Sequence, residues 1–487
     1  MKILMLGWEY PPHISGGLGT ACQGLTTALA SKGIEIEFVV PHVFGDEKVE
    51  HMQLSSPALN DSSSPLQEAI VRIEKKTTHL KEFLTTKTTP SAETATFLEI
   101  DHQSILREVI KTSIPSLLFS PYANPDSFQE ALRKFSHTEL VQTGSFYSSA
   151  EHQIVKGLLP ESVSEVLNYN FRSQSSSHQY GPDLFTAVDD YTVNLVSKTK
   201  GKQFDLIHAH DWMTFPAGIA LSRLTGKPLV VHVHSLEFDR SGKHHNERIH
   251  KIEEAGLKEA TRIIAVSYYT RSIIHREHGI PLSKISVVHN GVYAQQIKHS
   301  YEKDMAKKSK IVLFLGRITF QKGPDYFVEA AAKIIPLIPD VKFVMAGSGD
   351  MLPRLIERVA ELGLSKNFIF TGFLKGKDVE RMFALADLYV MPSVSEPFGI
   401  APLEAMSHDV PVIISHQSGV SEVLQSALKV DFWDVDKMAN FIAGVLRYPE
   451  LRQDAIQNAR EEIGRLHWGA AADKTMQIYK LALGRGR

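Results

Sequence analysis

The chain has 487 residues, of which 43% are hydrophobic and 22% charged, and its formal net charge at pH 7 is -2. This length predicts two or three domains, and the balanced charge gives no reason to expect nucleic acid as a partner. Because Cys22 is the only cysteine, an internal disulfide is excluded and a reducing cytoplasm is the predicted location. No apolar run reaches the ~20 residues of a transmembrane helix, and the N-terminal apolar segment is too short for a signal peptide.

The chain begins with the pattern of a strand–loop–helix–strand unit. Strands are predicted at Ile3–Leu6 and Ile34–Val40, with a helix between them from about Thr20 to Ser31. The loop after the first strand, S-G-G-L-G, contains Gly16 and Gly17, and glycines there let a ligand phosphate approach free backbone N–H groups. The dinucleotide fingerprint G-x-G-x-x-G is absent. The pattern predicts a doubly wound sheet with a ligand beyond the carboxyl ends of its strands.

Between residues 45 and 180 the alternation of predicted strands and helices becomes irregular, and serine and threonine cluster there. We interpret this stretch as an elaborated insertion in the first domain, without a function that the pattern assigns. The predicted runs within it are strand-like at Thr96–Ile100 and Ser116–Ser120 and helix-like at Leu66–Lys75 and Ser127–Arg133. The segments Ser120–Tyr122 and Asp189–Tyr191 are candidates for an acceptor groove, although loop and capping roles are favoured for both.

The segment D-L-I-H-A-H-D-W, residues 205–212, restarts the strand–loop–helix rhythm. Its alternation places His208 and His210 on the same side of a strand, with Asp211 at the turn. Two histidines two residues apart can share a metal ion. Because a helix with the H-E-x-x-H spacing does not accompany them, a metal site is disfavoured and His208 is predicted to be structural.

A buried strand is predicted at Pro228–His234, and a polar segment follows it. Glu237, Asp239 and Arg240 in this segment are candidates for contacts with an acceptor, and a salt-bridged loop is an equally good interpretation. The elements predicted next are a helix at Glu247–Thr261 and strands at Arg262–Val266 and Ile285–His289.

Residues 296–310 are polar and charged and are predicted to be a linker. The same alternation then repeats, so the chain is predicted to contain two α/β domains, residues 1–295 and 296–465, followed by a terminal helix within residues 466–487. The strands predicted in the second domain are Ile311–Leu315, Lys342–Ala346, Phe368–Thr371, Leu388–Met391 and Val412–Ile414.

The first loop of the second domain, G-R-I-T-F-Q-K-G, contains Gly316, Arg317 and Lys322. Both cations flank a strand end, where their charges can converge on a diphosphate. An isolated pair of cations is usually exposed to solvent, but here a pair of glutamates lies downstream. The next predicted strand also ends in a glycine turn, with Gly347 and Gly349.

The stretch M-P-S-V-S-E-P-F-G-I-A-P-L-E-A-M, residues 391–406, follows an apolar run and leads into a predicted helix at Gly399–Met406. The N-terminus of such a helix attracts an anion. Glu396 lies in the loop and Glu404 in the helix, and ionised carboxylates accept hydrogen bonds from several hydroxyl groups at once. A ligand that combines phosphates with sugars is a nucleotide sugar, which is the predicted ligand.

Together, the glycine loop, H-A-H-D-W, G-R-x-x-x-x-K-G and S-E-P-F-G-x-x-x-x-E-A-M resemble the motifs of retaining GT-B glycosyltransferases of family 4, to which the glycogen and starch synthases are related. Ile14 stands where bacterial glycogen synthases carry lysine, and Glu404 is a glutamate that those synthases usually lack, so both favour the broader family. H-A-H-D-W and H-S-L-E-F-D-R-S-G favour glucan synthesis. The resemblance implies two Rossmann-like domains that face a deep cleft.

The resemblance also implies roles for individual residues. Glu404 would bind the ribose hydroxyls and Glu396 the hydroxyls of the donor sugar. Arg317 and Lys322 would neutralise the departing diphosphate, and His210 would sit over the anomeric carbon, so these two cations, His210 and Glu396 are the predicted catalytic residues. The predicted donor-binding residues are Gly16, Gly17, Asn290, Gly316, Gly347, Gly349, Pro397, Phe398, Gly399 and Glu404.

The implied reaction moves a hexosyl group, with glucose expected, from ADP- or UDP-glucose to a glucan or another saccharide, with retention by same-face attack. No metal and no cofactor are predicted, because two cationic side chains can replace a divalent ion at the diphosphate. The alternatives are a family 4 transferase of cell-surface polysaccharide or glycolipid synthesis and a nucleotide-sugar epimerase of the same architecture. A non-catalytic sugar-binding protein would not need Arg317, Lys322 and Glu396 together, and a dehydrogenase fits least well. The oligomeric state is left open.

Overall fold

The computed structural model describes residues 1–12, 17–43, 47, 49–56, 149–168, 184–199, 201–292 and 309–484. Their core elements are two parallel sheets, each covered by helices on both faces. Residues 296–308 of the predicted linker, the runs predicted between residues 66 and 133, and Ser120–Tyr122 lie outside the described residues. None of the described helices is long and apolar enough to cross a membrane.

The first sheet has seven parallel strands in the order β3-β2-β1-β4-β5-β6-β7. The central strands are buried along their whole length, which is why the sequence shows them as continuous apolar runs. Their bounds are β1 Lys2–Leu6, β2 Glu35–Val39, β3 Gln53–Ser55, β4 Leu206–His210, β5 Leu229–Val233, β6 Arg262–Ala265 and β7 Ile285–Val287.

The second sheet has six parallel strands in the order β10-β9-β8-β11-β12-β13. Both sheets therefore reverse their strand order beside their first strand, and ligands bind such sheets in the crevice at that point. The bounds are β8 Ile311–Leu315, β9 Lys342–Ala346, β10 Phe368–Gly372, β11 Leu388–Met391, β12 Val412–Ser415 and β13 Leu428–Val430. The predicted fold class, two Rossmann-like domains of the GT-B type, is confirmed.

Side-chain caps mark the starts of some of the described helices. Ser267, for example, accepts a hydrogen bond from the backbone N–H of Thr270 and caps the helix that follows it. The helices are α1 Gly17–Ser31, α2 Ser149–Gly157, α3 Glu161–Asn168, α4 Leu184–Lys198, α5 Phe215–Thr225, α6 Glu237–Ser241, α7 Glu247–Glu259, α8 Tyr268–His278, α9 Pro324–Ile334, α10 Leu352–Glu361, α11 Lys377–Leu385, α12 Ala401–Ser407, α13 Val435–Arg447, α14 Pro449–Ile463 and α15 Trp468–Ala482.

Two predicted helix starts and one predicted loop differ from the structure, and several strand ends differ by one or two residues. Helix α1 begins at Gly17 and not at Thr20, because the carboxylate of Glu9 accepts the N–H of Gly19 and satisfies the first turn. Helix α12 begins at Ala401, two residues later than predicted. The polar segment after β5, interpreted as a loop, contains the short helix α6.

The chain returns to the first half through the terminal helix α15. This helix packs along α1, and the hydroxyl of Tyr479 lies 2.7 Å from Nδ1 of His208 in β4. The end of the first half and the start of α15 are hydrogen bonded to each other, because the N–H of Val292 donates to the carbonyl of Leu466 at 2.8 Å. Val292 also forms a parallel bridge with His467.

Candidate active site

Two loops of the second half meet at the carboxyl ends of β8 and β11. The N–H of Val394 donates to the carbonyl of Gln321 at 2.9 Å, which joins the loop carrying the cations to the loop carrying the glutamate. Gly323 has a positive φ of +62°, and a Cβ there would lie 2.0 Å from the carbonyl oxygen of Pro392. Only glycine allows so close an approach.

This approach pairs Lys322 with Glu396. The lysine Nζ lies 2.5 Å from Oε2 of Glu396, and the hydroxyl of Ser393 donates to the same oxygen at 3.3 Å. The lysine side chain is 22% exposed and the glutamate side chain 8% exposed, so the pair is shielded but reachable. Arg317 donates to the side-chain oxygen of Gln321 at 3.2 Å, which places a second cation in the same loop. The structure therefore brings three of the four predicted catalytic residues together.

The glycines predicted to bind the donor have packing roles that the sequence did not reveal. The N–H of Gly316 donates to the carbonyl of Ala346, and a Cβ on Gly347 would lie 1.8 Å from the carbonyl oxygen of Gly316. A Cβ on Gly349 would lie 2.1 Å from the carbonyl oxygen of Ile318. These glycines let the loops after β8 and β9 lie against each other, and a donor contact at them stays a prediction.

Glu404 lies in the first turn of α12, where a carboxylate is favoured by the helix dipole. Burial nevertheless raises the pKa of Glu404 to about 7. The charges of Glu396 and Glu404 both contribute, after burial, to a pKa of the Tyr389 hydroxyl well above its ordinary value. Glu396, in the loop after β11, and Glu404, in the helix that follows this loop, therefore both raise the pKa of Tyr389 in β11.

Several residues predicted to bind the donor lie at the contact between the two halves. The carbonyl of Pro397 accepts from the hydroxyls of Ser267 at 2.6 Å and Thr270 at 3.2 Å. The ring of Phe398 lies 6.0 Å from that of His289, next to the buried Asn290. Gly399, with a φ of +99°, follows in the same loop. Gly17 lies in the first turn of α1, and Gly16 lies outside the described residues.

The carboxylate of Glu422, in the second half, accepts hydrogen bonds from backbone groups of the first half. Glu422 belongs to a 3₁₀ turn of the second half, Gly419–Glu422, and accepts from the backbone N–H groups of Tyr268 at 2.9 Å and Tyr269 at 2.6 Å. The ring of His289 lies 3.0 Å from the same side chain. Because the two N–H groups begin α8, the dipole of that helix favours the negative charge.

Four histidines stack at the end of the first sheet. His208 and His210 lie on the same side of β4, as predicted, with ring centroids 4.3 Å apart. His232 and His234, on and just after β5, extend the stack, and Nδ1 of His210 lies 2.9 Å from Nε2 of His234. Sequence analysis missed these two, although H-V-H repeats the spacing of H-A-H on what proves to be the neighbouring strand.

Burial keeps these rings uncharged. It lowers the pKa of His208 and of His234 to about 3 and that of His210 and His232 well below the ordinary value. Ligand atoms of His208, His210 and His232 lie within 4.8 Å of one another, as do those of Cys22, His210 and His234.

Asp211 orients the segment that carries the predicted acceptor residues. Its carboxylate accepts from the N–H groups of His234 at 2.7 Å and Ser235 at 3.4 Å, while burial raises its pKa to about 7. The backbone of Asp211 is left-handed, with a φ of +58°.

The predicted acceptor residues are buried. Glu237, Asp239 and Arg240 are 1%, 2% and 4% exposed, and Arg240 lies 3.6 Å from Glu237 in an ion pair. Asp239 reaches the other half, because the hydroxyl of Ser395 donates to its Oδ1 at 2.7 Å. The ion pair between Arg240 and Glu237 agrees with the interpretation of this segment as salt-bridged. A contact of these residues with an acceptor stays a prediction.

The other acceptor candidate, Asp189–Tyr191, lies within α4 and not in a loop. Asp189 lies 2.9 Å from Nζ of Lys156 and 2.8 Å from Nε2 of His152, and Tyr191 donates its hydroxyl to the carbonyl of Val39. These contacts hold α4 against α2 and β2.

Three family models match successive parts of the chain. The starch synthase catalytic domain matches residues 2–141, glycosyltransferase family 4 matches residues 170–296, and glycosyl transferases group 1 matches residues 295–462. An uncharacterised glycosyltransferase of Methanocaldococcus jannaschii is 30% identical over 342 residues, which cover 66% of this chain and 86% of the relative. The glycogen synthase of Mycobacterium tuberculosis is 27% identical over 58% of this chain and 70% of its own length.

Solved structures agree on the fold. The sucrose-phosphate synthase of Thermosynechococcus elongatus superimposes with a TM-score of 0.64 at 18% identity, over 99% of both chains. The Anabaena protein HepE, in complex with UDP-glucose, superimposes with a TM-score of 0.58 at 16% identity, over 99% of this chain and 100% of its own. From the matched domains, the relative that is 30% identical and the two Rossmann-like sheets, we conclude that the chain belongs to the glycosyltransferases and has the GT-B fold.

Proposed function

We propose that the chain is a retaining glucosyltransferase that uses ADP- or UDP-glucose and extends a glucan or another saccharide. The observation that carries the proposal is the contact between Lys322 and Glu396 at the ends of β8 and β11, with Arg317 in the same loop. In the absence of ligand, these two side chains neutralise each other. A diphosphate would offer Lys322 a stronger partner and would release Glu396 for the hydroxyls of the sugar.

The proposed reaction breaks the bond between the anomeric carbon and the diphosphate. Lys322 and Arg317 stabilise the negative charge that grows on the leaving group, and preorganised charges of this kind are often the largest contribution to catalysis. The acceptor hydroxyl attacks from the face that the diphosphate leaves and gives its proton to an oxygen of that diphosphate, so the configuration is retained. Glu404 binds the ribose of the donor in its ionised form.

His210 serves this reaction as an uncharged ring. Its Nε2 has no hydrogen-bond partner among the described residues, while its Nδ1 faces His234. Because the ring is fully buried, contact with the donor sugar requires that its neighbours move when the donor binds. No divalent ion is proposed at the diphosphate, so the turnover of donor is expected to be the same with and without added magnesium.

The relationship to a glycogen synthase supports a glucan as acceptor. The test is to incubate the purified protein with a panel of nucleotide sugars and to measure the released nucleotide, with and without maltooligosaccharide. We expect release from ADP- or UDP-glucose that rises when the oligosaccharide is added, with an α-linked product by NMR. Release with every sugar nucleotide except these two would contradict the donor assignment, and an isomerised sugar nucleotide without any acceptor would identify an epimerase.

A further inference from the structure

A second cluster of ligand-type side chains lies between helices α7 and α8. It consists of His250 and Glu253, one turn apart on α7, and His278 at the end of α8. One ligand atom of each lies within 4.8 Å of those of the other two. None of these residues belongs to the set that we assign to the reaction.

The cluster is buried and its polar atoms are unsatisfied. Glu253 is 1% exposed and His278 is 6% exposed. Among the described residues, Oε2 of Glu253, both ring nitrogens of His278 and Nδ1 of His250 have no hydrogen-bond partner. Oε2 of Glu253 and Nε2 of His278 are 3.7 Å apart, which is too long for a hydrogen bond. The rings of His250 and His278 stack, with centroids 4.5 Å apart. Buried polar atoms are normally paired, so the unpaired ring nitrogens and the unpaired Oε2 of Glu253 indicate a missing partner.

The chemistry of the three side chains selects that partner. Two imidazole nitrogens and one carboxylate oxygen form a donor set that binds zinc, with a fourth position left for water or another side chain. An anion would be repelled by the carboxylate, and a hard cation such as magnesium prefers oxygen ligands. We propose that His250, Glu253 and His278 form a binding site for one divalent transition-metal ion of the zinc type.

The site connects to the cleft through the second oxygen of Glu253. Oε1 accepts the backbone N–H of Glu237 at 2.8 Å, and Glu237 begins the short helix α6. The same helix carries Asp239, which accepts from Ser395 of the other half. A bound ion fixes Glu253, and Glu253 fixes the start of α6. The ion therefore stabilises the contact between the halves without touching the substrate.

The test uses the full chain, stripped of metal by a chelator and then dialysed free of it. Titration with zinc chloride, followed calorimetrically and by elemental analysis, is expected to show one tight equivalent and a higher Tm, because an ion that binds only the folded state stabilises it. Cobalt(II) in place of zinc is expected to give visible absorption bands of a four-coordinate site. An unmodified protein that gives neither the equivalent nor the bands overturns the proposal.

Variants assign the ion to this cluster. His250→Gln is the primary variant, since His250 is only half-buried and its loss is tolerated better than that of Glu253. It is expected to weaken zinc binding by more than the ~10- to 100-fold that loss of an outer-shell partner typically costs. The matched control is His244→Gln, which removes an exposed histidine six residues away and leaves binding unchanged.

The stack in the first sheet provides the competing location. His232→Gln alters that stack and leaves the proposed cluster intact, so it is expected to retain the zinc equivalent and the cobalt bands. If His232→Gln abolishes them while His250→Gln keeps them, the ion binds in the stack and the proposal is wrong. His278→Asn provides a second ligand variant should His250→Gln fail to fold.

Discussion

The two sheets end in polar side chains of different kinds. In the first sheet, His208, His210 and His232 are almost fully buried, and burial keeps their rings uncharged. In the second sheet, Lys322 and Glu396 form an ion pair in which the lysine side chain remains 22% exposed. Both sheets have the same strand order, so this difference arises from the side chains and not from the topology.

The difference predicts that the two halves contribute to the reaction in different ways. In the proposed function a diphosphate needs positive charge, which Arg317 and Lys322 on one loop of the second half would supply. An uncharged imidazole in the first half does not compete for that anion. The comparison therefore predicts that charge removal matters most in the second half and that the pH dependence also originates there.

Lys322→Ala is expected to have the largest effect. Loss of one preorganised charge at the leaving group should lower kcat by ~10²- to 10³-fold, with a smaller change in KM for the donor. Nucleotide release under saturating donor measures it. The matched control is Lys333→Ala, whose ammonium pairs with Asp436 on the surface, and it should stay within about twofold of the unmodified protein. An unchanged kcat in a folded Lys322→Ala protein would show that this charge is not used.

The pH dependence of donor binding is expected to follow Glu404. Because its pKa is raised to about 7, the carboxylate is largely protonated at pH 6 and ionised at pH 8, and only the ionised form accepts a hydrogen bond at both oxygens from the ribose. The value of kcat/KM should therefore rise with pH through about 7. Glu404→Gln should remove this limb and lower kcat/KM at pH 8 by ~10-fold, as expected for a hydrogen bond to a charged group.

The histidine stack is not expected to contribute to this pH dependence. Burial lowers the pKa of His210 well below its ordinary value, so the ring stays neutral and His210→Asn should keep the rise near pH 7 even if the overall rate falls. A profile that loses its limb in His210→Asn and keeps it in Glu404→Gln would reverse the comparison between the two sheets.

Ser395→Ala is expected to have the smallest effect. It removes the hydroxyl that donates to Asp239 and lies 3.0 Å from the hydroxyl of Tyr269, both in the first half. A net hydrogen bond contributes about 0.5–1.5 kcal/mol, which corresponds to a fall in kcat/KM of ~2- to 10-fold. Ser272→Ala removes a hydroxyl that bonds only within α8 and should leave kcat/KM unchanged. Equal effects of the two variants would argue against a role for the contact across the cleft.

Much of the fold followed from hydrophobic runs, because parallel strands buried on both faces must be apolar along their length. The strands at Ile311–Leu315, Lys342–Ala346 and Leu388–Met391 have the predicted bounds. Helix starts were less predictable, as Gly17 shows, since a side chain from another segment satisfies the first turn.

The site was predictable only where its residues lie in one loop or share a recognised spacing. The contact of Lys322 with Glu396 brings together two residues from the two recognised motifs, whereas the predicted convergence of Arg317 and Lys322 on a diphosphate stays a prediction. The pairing of Asp239 with Ser395 spans 156 residues and depends on how the two halves meet, which no local pattern encodes. His232 and His234 belong to the stack because β4 and β5 are neighbouring strands. Hydrophobic periodicity predicts strands but not their order in the sheet, so the sequence did not reveal this.

The hydrogen bond between Val292 and Leu466 has a mechanical consequence. The polypeptide passes from one half to the other twice, and both passages leave or re-enter the first half at this one place. Two crossings held side by side behave as a single hinge, whereas two separated crossings would resist rotation. We therefore expect any opening between the halves to be a rotation about one axis, and the contacts made by Glu422, Ser395 and Pro397 are among those that it would have to break.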